Sequence, residues 1–151
     1  RNYRQAYTHL DKVIEMDPKV FSSVVLQRYE LMLTGEKNPE AATEYLSEKI
    51  EEYGPDAGSL AEFATALVSD PDLRPRNLEL ASAAAEAMIA AAPDRPDSLA
   101  VLAMVQFARG DASAAIENQQ RAWMLADPSV KAEFKKALDQ YRTTARRSST
   151  R

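Results

Sequence analysis

SLAVLAMVQFARGDASAAIENQQRAWMLADP, residues Ser98–Pro128, decides the fold class. Leu99, Leu102 and Ala103 stand at i, i+3 and i+4, the spacing of one helix face, and Ala115 and Ala122 are two turns apart on a second helix. Gly110-Asp111 between them reads as a tight turn. The stretch therefore predicts two amphipathic helices joined by a short corner. Fainter copies of the same plan lie upstream.

Working outward, the same punctuation recurs. Tyr3, Ala6, Tyr7, Leu10, Val13 and Ile14 make one apolar stripe on a helix over about Tyr3–Met16, stopped at Asp17-Pro18. A second helix, about Lys19–Leu33, carries apolar residues on several sides and ends at Gly35, read as a left-handed C-terminal residue. Asn38-Pro39 opens a third helix to Glu52, and Tyr53-Gly54-Pro55 breaks it. Helix 4 (about Asp56–Val68) presents Leu60, Phe63, Ala64 and Leu67, and the irregular Ser69–Arg76 follows. Asn77 caps an alanine-rich helix 5, Leu78–Ala92. After helices 6 and 7, Asp127-Pro128 caps helix 8, about Ser129–Thr144, with Val130, Phe134, Ala137, Leu138 and Tyr141 inward.

Composition agrees. The 151 residues are 45% apolar and 28% charged with four glycines, which is globular and helix-favouring. Without cysteine, disulfides, thiolate metal sites and thiol redox chemistry are excluded within this piece. No apolar run approaches the ~18 residues of a membrane span. Residues Arg1–Val130 hold 12 basic and 21 acidic residues (−9), and Lys131–Arg151 hold seven and two (+5), which sum to the formal −4. An acidic body with a short basic tail argues against nucleic acid as a partner. Residues 146–151 are expected to be a disordered basic tail behind a helical domain over 1–145.

On a ~34-residue period, Asp97–Pro128 resembles the tetratricopeptide repeat. Leu99, Leu102 and Ala103 match its first-helix large, large, small residues, Gly110-Asp111 its turn, and Ala115, Ala122 and Pro128 its second-helix small residues and closing proline. Gln119 stands where that family has an aromatic residue. Leu60–Pro71, Arg76–Asp94, Ser98–Ala126 and Lys131–Tyr141 together resemble the C-terminal helical region of bacterial proteins with an N-terminal thioredoxin-fold (redoxin) domain. That family has Trp at the position of Thr65 and a charged residue at that of Met104. The resemblances imply an all-α, right-handed solenoid of about eight antiparallel helices with a C-terminal capping helix. They imply a bacterial cytoplasm or periplasm without choosing between them.

In tetratricopeptide arrays partners lie against the first helices, and the corresponding positions are Val25, Tyr29 and Met32; Ala61, Thr65 and Val68; Ala100, Met104 and Phe107. An apolar groove there could receive an extended or helical peptide. The alternative is that Met104 and Phe107 pack on a neighbouring helix or on helix 8. The Lys/Asn/Arg clamp for an acidic peptide terminus is missing. His9 has no second histidine or nucleophile beside it, and Glu44, Glu48, Glu51 and Glu52 read as a solvated helix face, so neither a catalytic residue nor a metal or cofactor is expected. Arg146-Arg147-Ser148-Ser149-Thr150 matches a basophilic kinase pattern that short Arg/Ser tails meet by chance.

The functional expectation is a non-catalytic interaction or scaffold module, the C-terminal part of a larger redoxin-type protein. The alternative is a substrate-positioning or oligomerisation domain of a thiol-disulfide oxidoreductase whose active site lies upstream. Helix 1 reads as the second half of a unit whose first helix lies upstream. Its stripe of Tyr3, Ala6, Leu10 and Val13 would then be covered by a second copy in a weak homodimer.

Overall fold

Short polar side chains set most helix starts. Asn38 accepts from the Ala41 N–H, Asp56 from those of Gly58 and Ser59, Asn77 from Leu80 and Asp111 from Ala114. Each satisfies backbone donors that the first helical turn leaves free. The computed structural model describes residues 3–17 and 22–149. Among them the chain forms α1 (Tyr3–Met16), α2 (Ser22–Glu30), a π-helical turn (Leu31–Gly35), α3 (Pro39–Glu52), α4 (Ala57–Ser69), α5 (Leu78–Ala91), α6 (Pro96–Ala108), α7 (Ala112–Leu125) and α8 (Lys131–Ser149), with no strand. The expected cap at Asp17-Pro18 lies partly outside the described residues.

Contacts follow the chain from α1 to α2, α2 to α3 and α4 through to α8, and they also skip. α2 touches α4, α4 touches α6, and α3 touches α5. The core begins on α4, whose Leu60, Phe63, Ala64 and Leu67 repeat at i, i+3, i+4 and i+7 and are wholly buried. α5 answers with Ala81, Ala84 and Ala85, whose small side chains let neighbouring helices approach closely. Val25, Tyr29, Ala42, Tyr45, Leu46 and Ile50 extend the cluster through α2 and α3. Leu99, Ala103, Ala115, Ala122 and Leu138 are buried where α6, α7 and α8 meet.

Two corners differ from expectation. α2 continues through a π-turn, in which the Glu36 N–H donates to Leu31 O and both Met32 and Leu33 are buried. Widening the last turn rotates these consecutive apolar residues inward together. Gly35 is not the left-handed residue; Lys37 is, at φ 56°. Glycine at 35 instead makes room for a ring. An added Cβ would meet Tyr3 Cε1 at 3.0 Å, and the Tyr3 hydroxyl donates to Gly35 O at 2.8 Å. This contact helps seat α1 on α2. Tyr3, Ala6, Leu10 and Val13 are half-buried within the chain.

α8 also differs. Residues Pro128–Val130 form a turn, so the helix begins at Lys131, and Val130 is exposed rather than inward. It continues through Ser149, five residues past the expected end at Thr144, with Arg146–Ser149 exposed. The Ser148 and Ser149 hydroxyls donate back to the Thr144 and Arg146 carbonyls in its last turns; Thr150 lies outside the described residues.

Gly110 keeps its expected role at φ 90°. Gly110→Ala should destabilise the chain by about 1–2 kcal/mol, the cost of holding a Cβ-bearing residue in the left-handed region. Nothing stands within 4 Å of the added methyl, so the loss is conformational rather than steric. An unchanged urea midpoint would refute that reading.

Candidate partner-binding face

The three strips expected to form a binding face come to different ends. Val25 and Tyr29 are fully buried and Met32 nearly so, because α2 is packed by α1, α3 and α4 together. They belong to the core, and Tyr29 reaches only the wall of a separate depression it shares with Leu33, Thr43 and Asn77. Burial also pushes the Tyr29 hydroxyl above its ordinary pKa.

The second strip stays at the surface. Thr65 is exposed, and Ala61 and Val68 are half-buried against the core. Ala61 and Thr65, with Leu26, Glu62, Ala66, Ser69, Asp70 and Pro71, line an open depression of about 680 Å³ between α2 and α4. The Ser22 hydroxyl donates to Glu62 Oε2 at 2.5 Å, which ties the two helices across it.

The third strip is shared with α8. Ala100 and Met104, joined by Val101, Gln119, Glu133, Phe134, Ala137 and Tyr141, line a groove of about 310 Å³. Phe107 stacks on Tyr141 with centroids 4.5 Å apart and rings 23° from parallel. Its face is therefore taken by α8, and the pair forms a wall. Met104 keeps part of its surface free. α8 is anchored by Gln119, a buried side chain whose Nε2 donates to Phe134 O at 3.0 Å. Burial raises the Tyr141 hydroxyl pKa.

Sequence reasoning missed the partners in these depressions: Leu26, Glu62 and Asp70 in one, Glu133, Phe134, Ala137 and Tyr141 in the other. Phe134, Ala137 and Tyr141 were visible as a stripe, but periodicity cannot say that its edge, together with α6, walls a groove. Among the described residues, Glu62, Asp70 and Glu133 are the only charged ones lining the two depressions.

Elsewhere the polar groups are structural. Arg28 lies over the rings of Tyr7 (5.0 Å) and Tyr45 (4.4 Å) and pairs with Asp11, clamping α1, α2 and α3. His9 and the glutamates of α3 are exposed, with Glu52 paired to Lys49. No three Asp, Glu or His side chains converge as metal ligands among the described residues. No described helix is long and apolar enough to cross a membrane. Compared with protein-family models, curated proteins and solved structures, the chain finds no match in any of the three.

Proposed function

We propose that this chain is a tetratricopeptide-type solenoid module that binds a peptide segment of another protein and performs no chemistry itself. The succession of contacts α2 to α4 to α6, alongside α3 to α5, is what stacked helix pairs require and supports the repeat reading. The observation that carries the binding reading is the groove between α6 and α8. Its floor is apolar at Ala100, Val101, Met104 and Ala137, and it remains open beside Met104. Apolar concavities with few polar groups are what helix-in-groove and extended-peptide recognition use. The face is smaller than the nine residues first expected. It comprises Ala61, Thr65 and Val68 on α4 and Ala100 and Met104 on α6, with Phe107 a wall. The resemblance of residues 60–142 to the helical region of redoxin-type proteins supports placing the module in such a protein. An upstream Cys-x-x-Cys in the gene's reading frame is the check.

Peptides selected for binding to the chain from a displayed random library provide the test. Met104→Glu should weaken the selected binders at least about tenfold, because a carboxylate would be desolvated in the groove. Met16→Glu, at an exposed position on α1, should not. Far-UV circular dichroism should be unchanged in both. Binders that ignore Met104→Glu would refute the assignment of the site.

A further inference from the structure

We infer that the segment this face receives is cationic as well as apolar: a peptide whose apolar side chains are flanked by lysine or arginine. The inference rests on the peptide-binding reading above and adds the partner's charge. Glu62 and Asp70 border the depression between α2 and α4, Glu133 borders the groove between α6 and α8, and among the described residues no lysine or arginine lines either.

What these carboxylates already touch sharpens the point. Glu62 accepts a hydroxyl proton from Ser22, and Asp70 accepts the backbone N–H of Asp72. Neither contact neutralises charge. Glu62, Asp70 and Glu133 have no ion-pair partner among the described residues. Three basic residues of α8, Lys135, Lys136 and Arg147, line a separate surface on that helix. Arg1–Val130 carries −9, which favours approach of a cation to the depression between α2 and α4, whereas the groove between α6 and α8 also borders the +5 segment Lys131–Arg151 and takes its negative charge from Glu133. An acidic segment would meet repulsion and no clamp. A cationic one would gain three rim pairs while its apolar side chains reach Met104 and Ala61.

The test uses the full chain and three labelled peptides of equal length, sharing one Leu/Phe core and flanked by Lys, Ser or Glu. Fluorescence anisotropy at low salt should rank Lys over Ser over Glu. About tenfold should separate the first two, the sum expected of three solvent-exposed pairs, and the gap should close as salt is raised. Glu62→Gln with Glu133→Gln, which keeps size and hydrogen bonding, should remove most of the preference by bringing the Lys-flanked peptide's affinity down toward that of the Ser-flanked one. Glu44→Lys with Glu48→Lys on α3 should change neither. Equal affinities for the three peptides, sensitive to Met104→Glu, would overturn the charge inference and leave the groove standing. Absence of binding by all three would overturn both. A Lys preference abolished by the α3 variant rather than the Gln variant would overturn it too, since attraction would then be to the acidic body at large.

Discussion

Phe63→Ala should cost about 3–5 kcal/mol, the range for removing a large ring from a core that only partly collapses. Phe63 is fully buried at the centre of the α4 stripe, between Leu60 and Leu67. Its ring meets that of Tyr53 edge to face, 5.4 Å between centroids and 74° between planes, so the truncation also loosens the corner where α3 hands over to α4. Domains of this size are stable by only about 5–15 kcal/mol, so the variant should lose a third or more of its margin. Urea unfolding monitored by circular dichroism should show the midpoint falling by about 2 M. A loss below about 1 kcal/mol would mean that α4 is not the centre of the core.

The chain should also unfold in alkali over a defined window. The Tyr45 hydroxyl is pushed up to about 12, chiefly by burial and against the opposing charge of Arg28. Tyr53 is pushed up to about 12 as well, by burial first and then by the carboxylates of Glu52, Asp56, Asp17 and Glu62. Tyr7 is raised further for the same leading reason, with Glu36 adding to it. In the unfolded chain these phenols ionise near 10. A raised folded value means the native state holds the proton longer. Its stabilising contribution is complete below about pH 10 and is lost as pH climbs through about 12. For Tyr45 and Tyr53, each nearly inaccessible to solvent, the loss is on the order of 2–3 kcal/mol apiece. Tyrosinate absorbance should rise in two stages, the exposed phenols near pH 10 and the buried ones only with cooperative loss of helix. Tyr53→Phe should shift that unfolding to higher pH. At neutral pH it should be neutral or stabilising, because the hydroxyl it removes is buried without a hydrogen-bond partner among the described residues. A single titration near 10 with the helices intact would refute the assignment.

What could be read from residues alone follows a physical divide. Caps and turns were legible where the chemistry is local: Asn38, Asn77 and Gly110-Asp111 each satisfy or bend their own neighbours. Gly35 misled because glycine has two uses, freedom of φ and absence of a Cβ, and only the position of Tyr3 shows which applies. The binding strips show the same limit at larger scale. The i, i+4, i+7 set on α2 looks like that on α6, yet Val25 and Tyr29 are enclosed by three helices while Met104 has a neighbour on one side and space on the other. Spacing defines a face, and only the count of helices around it decides whether that face is core or surface. Glu133 escaped notice because a groove belongs to two helices and a pattern to one.

The chain's single tryptophan has a consequence of its own. Trp123 is half-buried near the end of α7, with the Lys131 and Lys135 ammonium groups 5.9 and 5.8 Å from its ring. Both lysines belong to α8, so the indole is an optical gauge of one joint: its emission registers whether α8 is seated on α7 and is blind to α1 through α3. A fluorescence melt and a circular-dichroism melt of this protein therefore follow different things. Where the two curves separate, the terminal helix has detached from a body that is still folded.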